Sequence, residues 1–274
     1  MKNYNQTVCI YLDLLGFSNL TLQSFKTNDH SYFSKLIKIM NREIMETDSS
    51  RLNYISFFSD SFIWLFSYNN LSNRKGSATE FDACLAKIEI DLVLLLSDLL
   101  ENGLIFRGGI AFGRTLFNNP NSNIDEHNYT SENIIFSEAL VNAAKIEKCI
   151  KYPIIGICNE TVDLIYNLDN FGCGTEYVNQ FKHIMQPLSQ ITCKDSDSNI
   201  YFLDHLSLIT EAIEDARYDF MLRHKKIILD SLQKQTEPKI REKYDFLKNI
   251  ITIFSIINFV FMMEITKIYM LTDV

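Results

Sequence analysis

Asp13, Asp60, Arg107 and Lys145 are of residue types that handle phosphate, and each stands in a local pattern that could put it to that use. Asp13 lies near the end of an apolar run, Val8-Cys9-Ile10-Tyr11-Leu12-Asp13-Leu14-Leu15-Gly16, and Asp60 stands in Phe58-Ser59-Asp60-Ser61, a polar centre between two apolar arms. Two carboxylates beside a glycine turn suit Mg²⁺, which keeps several waters and takes one or two protein carboxylates plus substrate phosphates. Two such ions can clamp the attacking and leaving oxygens of a phosphoryl transfer. Arg107 carries a planar fork that binds phosphate oxygens bidentately. Lys145 offers a positive charge against charge developing at phosphorus. Each residue also has a plainer reading: a capping Asp at a strand end, a hairpin-tip Asp, a strand cation and a solvated helix lysine.

These groups can act together only if the elements carrying them converge. The run from Val8 to Gly16, short, apolar and closed by a turn signal, predicts a buried strand. Ser18 then predicts a helix start. Residues 32–45 space Phe33, Leu36, Ile37, Met40 and Ile44 as a helix does. The segment 52–66 predicts a β-hairpin with Asp60 at its tip. Residues 81–100 read as a second long helix, stopped by Asn102-Gly103. Strand 104–113 carries Gly108-Gly109, and glycine inside a strand marks close approach of another backbone or a ligand. The Asn-rich stretch 117–133 reads as an exposed loop, 136–149 as a helix and 152–158 as a short strand. Segment 171–194 looks irregular with a small hairpin, and Ile200–Leu203 is a last strand. The order β-α-β-β-α-β predicts an α+β fold, a ferredoxin-like (split βαβ) core over residues 1–205 with a helical C-terminal extension over 206–274. In that topology the end of the first strand lies beside the central hairpin, so Asp13 meets Asp60.

Composition bounds the function. The chain has 274 residues, 47% hydrophobic and 22% charged, enough for a full core. A net charge of -8 argues against stable nucleic-acid binding, whose footprint is basic. Six scattered cysteines without a C-x-x-C pair predict reduced thiols in a cytoplasmic protein. The polar start, Met1 to Thr7, predicts no signal peptide. The apolar run Ile250–Met263 includes Thr252, Ser255 and Asn258. It falls short of the roughly 18–20 residues a bilayer core needs, and predicts a buried or dimer-facing helix.

Four motifs occur in one order: Asp13-Leu14-Leu15-Gly16-Phe17-Ser18, Phe58-Ser59-Asp60-Ser61, Arg107-Gly108-Gly109-Ile110-Ala111-Phe112-Gly113 and Ala143-Ala144-Lys145-Ile146-Glu147. In this the chain resembles the class III nucleotidyl cyclase superfamily, most closely the bacterial pyrimidine cyclases of the Pycsar antiphage type. The resemblance implies two Mg²⁺ or Mn²⁺ ions per site, held by Asp13, Asp60 and the Leu14 carbonyl. It implies a triphosphate held by the N–H groups of Leu15, Gly16 and Phe17 and by Arg107. Lys145 takes the place of the family's transition-state Arg, keeping the charge without the fork. Asn142 stands one residue after the family's Asn position, where this chain has Val141. The resemblance further implies a homodimer with shared active sites, and a separate cyclic-nucleotide-sensing effector protein that responds to the product.

The base pocket implied by the same resemblance includes Ser56 and Ile134, where adenylyl cyclases carry a Lys and an Asp. The hairpin adds aromatic bulk at Tyr54, Phe57, Phe58 and Phe62. Missing purine readers and a crowded hairpin suit UTP or CTP as substrate. Two alternatives remain open at this point: a cyclic di- or oligonucleotide synthase, whose hairpin usually reads G-G-D-[DE], and a catalytically silent nucleotide-sensing homologue.

Overall fold

The computed structural model describes residues 4–46, 52–68, 75–118, 134–167, 176–188, 200–212, 217–234 and 238–252. The chain forms two compact units, Met1–Ala212 and Ile213–Val274. The first is an α+β unit built on one sheet. Its elements in order are β1 (Asn5–Leu14), α1 (Phe17–Thr27), α2 (Ser31–Glu46), β2 (Leu52–Phe58), β3 (Ser61–Tyr68), α3 (Lys75–Glu101), β4 (Phe106–Asn118), β5 (Ile134–Ser137), α4 (Glu138–Cys149), β6 (Ile155–Ile157), α5 (Asn159–Asn167), α6 (Glu176–Ile184), β7 (Met185–Pro187), β8 (Tyr201–Leu203) and α7 (His205–Ala212). The second unit contains α8 (Arg217–Lys234) and a helix over 238–252. The helix after the last strand, α7, belongs to the first unit, where it packs on α3.

The sheet order is β2-β3-β1-β4-β6-β8-β7, with β5 paired to β4. Its first four strands, all antiparallel to their neighbours, have the split βαβ arrangement. Alternation sorts the side chains onto two faces. Val8, Ile10, Leu12 and Leu14 of β1 lie on one face with their register partners Phe66, Trp64, Phe62 and Phe106. All eight are buried, and this face forms the large apolar core, to which α3 contributes Leu85, Ile88, Leu92 and Leu95. Cys9, Tyr11 and Asp13 point to the other face, which α4 covers through Ala139 and Ala143.

Small residues set how closely α4 lies on the sheet. A Cβ on Gly109 would collide with the Ala143 carbonyl, and one on Gly113 would stand 2.6 Å from the Ala139 nitrogen. Helix and strand therefore touch backbone to backbone. A buried chain of hydroxyls ties the start of the same helix to the sheet. Thr7 Oγ1 lies 2.6 Å from Thr115 Oγ1, which lies 2.7 Å from Ser137 Oγ. Ser137 is the N-cap of α4 and accepts the Leu140 N–H at 3.0 Å.

Two local expectations are corrected. Helix α1 begins at Phe17 with Gly16 as N-cap, so Ser18 sits inside the first turn rather than capping it. The reason is the turn itself: Gly16 takes φ +80, a left-handed conformation glycine adopts freely. Within 171–194, residues Glu176–Ile184 form a helix, because Val178, Phe181 and Ile184 recur at three-residue spacing and are buried together. The Asn-rich stretch lies outside the described residues except for Phe117 and Asn118, where β4 ends. The apolar run Ile250–Met263 is described only to Thr252. Among the described residues no helix is long and apolar enough to cross a membrane.

Candidate functional site

Asp13 is the penultimate residue of β1, and its register partners are Ser61 on β3 and Arg107 on β4. Asp60 is the second residue of the two-residue turn joining β2 to β3. Its backbone carbonyl accepts the Leu14 N–H at 2.9 Å, which fastens the hairpin tip to the strand end carrying Asp13. The first turn residue, Ser59, has φ +59, a conformation that costs a non-glycine residue of order 1 kcal/mol. The hairpin thus holds Asp60 in place at some expense in backbone strain.

Arg107 lies between two carboxylates. Its Nη2 is 3.6 Å from Asp13 Oδ2, and its Nε is in ion-pair contact with Glu147 Oε1. Glu147 is buried on α4, on the sheet-facing stripe that begins with Ala139 and Ala143. Tyr11 completes the cluster. It precedes Asp13 by two residues, so it shares its face, and its hydroxyl lies 2.9 Å from Ser61 Oγ. Burial pushes the Tyr11 phenol above its ordinary range. The Ser61 hydrogen bond opposes that shift, while the charges of Asp13, Glu147 and Asp60 add to it. One phenol therefore feels the charge of all three carboxylates.

The adjoining turn is built from backbone groups. The Leu15 N–H donates to the Ile105 carbonyl at 2.7 Å, which anchors the turn to the entry of β4. That amide is committed inside the fold, which corrects the expectation that Leu15 offers a free N–H to a phosphate. The first intrahelical bond runs from the Leu20 N–H to the Gly16 carbonyl at 3.0 Å, and no side chain caps the helix. The Gly16 and Phe17 amides thus stand at an uncapped helix N-terminus, where anions are favoured. The Phe17 ring packs beside Tyr32 and Phe33, with centroids 6.1 and 6.3 Å away.

Lys145 is not part of this cluster within one protomer. It follows the sheet-facing Ala143 by two residues, about 200° round the helix, and it is exposed. Val141 is exposed as well, and Asn142 is partly buried between the two faces. The hairpin positions divide by alternation. Ser56 and Phe58 pair with Ile63 and Ser61, which puts them on the face of Asp13 and Arg107, and the backbone of Tyr54 pairs with Leu65. Phe58 is 76% exposed. Phe62 faces the opposite way: it is buried in the large core, where Phe57 packs against it edge to face at 4.7 Å. It therefore cannot narrow a pocket on the Asp13 face. Ile134 pairs with Asn118, at the end of β4 remote from Arg107. The register of one protomer separates it from Ser56 and Phe58. The side chains of Tyr54 and Ile134 lie outside the described residues.

Among the described residues no group of three or more His, Cys, Asp or Glu side chains is placed to hold a metal. The donors present are two carboxylates, one at a strand end and one in the hairpin turn bonded to it, and nearby backbone oxygens. That set fits Mg²⁺ or Mn²⁺, which fill their remaining positions with water and phosphate oxygen.

Two residues of the cluster, Glu147 and Tyr11, were not singled out from the sequence. A signal for each was present. Glu147 follows Ala139 and Ala143 at four-residue steps, a buried helix stripe that ends in a charge, and Tyr11 is one alternation step from Asp13. What the sequence lacked was the partner: only the fold shows that Arg107 lies beneath Glu147.

No protein-family model and no curated protein matches the chain. Among solved structures it is similar to the non-canonical dimeric guanylyl cyclase domain of the RhoGC fusion protein from the aquatic fungus Blastocladiella emersonii, at 13% identity and a TM-score of 0.45. That likeness covers 73% of this chain and 94% of the other. It is also similar to a bacterial light-regulated adenylyl cyclase, at 13% identity and a TM-score of 0.41, covering 80% and 58%. A third similar structure is the adenylyl cyclase CyaB from P. aeruginosa, at 15% identity and a TM-score of 0.34, covering 60% and 82%.

Proposed function

We propose that this chain is a nucleotide cyclase that converts UTP or CTP to the 3′,5′-cyclic monophosphate and pyrophosphate. The observation carrying this reading is the junction at the end of β1. There the Asp60 carbonyl is bonded to the Leu14 N–H, and Asp13 is in register with Arg107 beside an uncapped helix N-terminus. Two carboxylates, one guanidinium and backbone amides of an uncapped helix start on adjoining elements suit a metal-complexed triphosphate.

In this reading Asp13, Asp60 and the Leu14 carbonyl hold two Mg²⁺ or Mn²⁺ ions. Bound there, the ions supply a more acidic 3′-hydroxyl and neutralise charge at the reacting phosphorus. The Gly16 and Phe17 amides bind the terminal phosphates, and Arg107 binds them from the side. The 3′-oxygen attacks the α-phosphorus, its proton passes to solvent water, and the bond to the β-phosphate oxygen breaks so that pyrophosphate leaves. Lys145 and Asn142 act from the second protomer of a homodimer, a role that the exposure of Lys145 on α4 supports. Ser56 and Phe58 line the base side, where a serine in place of a lysine and an aromatic ring favour a smaller base. The product is proposed to signal to a separate effector in antiphage defence.

A specific observation favours a second reading. Lys145 points away from Asp13 of its own chain, so a protein that never dimerises would bind nucleotide without turning it over. Incubation with each of the four nucleoside triphosphates and Mn²⁺, followed by mass spectrometry, separates the readings. A cyclic product from UTP or CTP alone, abolished in Asp60→Ala, is expected. A product from ATP or GTP would overturn the pyrimidine assignment, and binding without any product would favour the silent sensor.

A further inference from the structure

The two carboxylates that flank Arg107 differ in kind. The Glu147 side chain is 5% exposed, and its Oε1 and the Arg107 Nε, both buried, make no hydrogen bond to any other group among the described residues. A carboxylate left alone there would bear the full penalty of an unpaired buried charge, so this contact is fixed. Asp13 is 20% exposed, and its contact with Arg107 Nη2 at 3.6 Å is longer than a hydrogen bond. That contact is the exchangeable one. The guanidinium is gripped by its Nε edge from α4, and its Nη end is left directed at Asp13, on the strand end to which the Asp60 turn is bonded.

Resting on the triphosphate reading above, we propose that Glu147 is a positioning residue: it holds Arg107 by Nε so that the Nη end passes from Asp13 to a phosphate oxygen when triphosphate binds. Glu147 touches neither metal nor substrate in this arrangement. It acts through Arg107 alone. The grip also explains a choice the helix makes. The other fully buried residues of the helix are alanines, and a third small residue would leave Arg107 facing Asp13 without its buried carboxylate. The guanidinium would then compete with the cation for that carboxylate instead of standing beside it.

The test is a double-mutant cycle on binding, read by calorimetry with inorganic triphosphate as the probe and Mn²⁺ present. Wild type, Glu147→Gln, Arg107→Gln and the double variant are compared, with circular dichroism confirming the fold. The expected result is binding weakened about tenfold by Glu147→Gln, as for loss of a charged hydrogen bond. In the Arg107→Gln background the same change should do nothing further. Glu147→Asp, which keeps the charge and shortens the reach, provides a second variant should the amide fail to fold, and it should weaken binding likewise. Equal weakening in both backgrounds, or none in either, would overturn the positioning role while leaving the triphosphate site intact. Wild type that binds no triphosphate would overturn the site reading, and this inference with it.

Discussion

Arg107 is the residue on which the proposed chemistry turns, because its guanidinium stands 3.6 Å from Asp13 Oδ2. Its fork serves two partners in different directions, one edge to Glu147 and one end to Asp13. Lysine at this position keeps the charge but cannot do both. Arg107→Lys is therefore expected to lower kcat/KM for the preferred triphosphate by about tenfold to a hundredfold, the worth of one or two charged hydrogen bonds. Steady-state kinetics on the purified protein measure this, and an unchanged kcat/KM would remove Arg107 from substrate binding. Tyr11 gives a second prediction at this scale. Its folded-state phenol titrates above its unfolded value, so it contributes stability that is full below the ordinary tyrosine pKa of about 10 and is lost as pH rises through the folded value. Tyr11→Phe should lose less stability between neutral pH and strongly alkaline pH than wild type does. Denaturant melts along a pH series read the difference directly.

At the scale of elements, the closeness of α4 to β4 decides whether Glu147 can reach Arg107. Gly109 and Gly113 permit that closeness, and any side chain at Gly109 meets the backbone of Ala143, which cannot yield as a flexible side chain could. Gly109→Ala should therefore cost about 1–3 kcal/mol, the usual price of overpacking. It should also weaken triphosphate binding as Glu147→Gln does, since the helix is lifted from the guanidinium. Thermal melts and calorimetry on one preparation test both halves. The β2–β3 turn makes the opposite kind of prediction. Ser59 holds a left-handed conformation without being glycine, so Ser59→Gly should stabilise the fold by about 0.5–1 kcal/mol. If stability falls instead, the Ser59 side chain has a role in the turn that outweighs its strain.

For the whole molecule, the outward direction of Lys145 is the decisive feature. A site that takes Asp13 and Asp60 from one chain and Lys145 from another is complete only in a homodimer, and a twofold dimer has two such sites. Asp60→Ala and Lys145→Ala should each be inactive alone. Mixed in equal amounts and allowed to exchange, they form heterodimers in which one site carries both lesions and the other neither. About a quarter of wild-type activity should return on statistical mixing. No recovery, with heterodimers demonstrated by mass, would place Lys145 outside the shared site.

The sequence by itself determined the four strands of the split βαβ core, their order and the placing of the two aspartates, but not β5, whose residues 136–137 read as the start of the helix. Alternation in β1 and β3 and the turn chemistry of Leu15-Gly16 and Ser59-Asp60 are local properties, and local properties are written in adjacent residues. The pairing of β1 with both β3 and β4 followed from the order of elements, and it brought Asp13 to Ser61 and Arg107 as that order implied. Tertiary structure decided the rest. Only packing could show that the Leu15 amide is spent on Ile105, that Phe62 belongs to the opposite core, or that Ile134 lies at the far end of β4. Only packing could set Glu147 over Arg107. Those facts depend on which residues from distant segments share a face and a distance, and no spacing within a single segment encodes that.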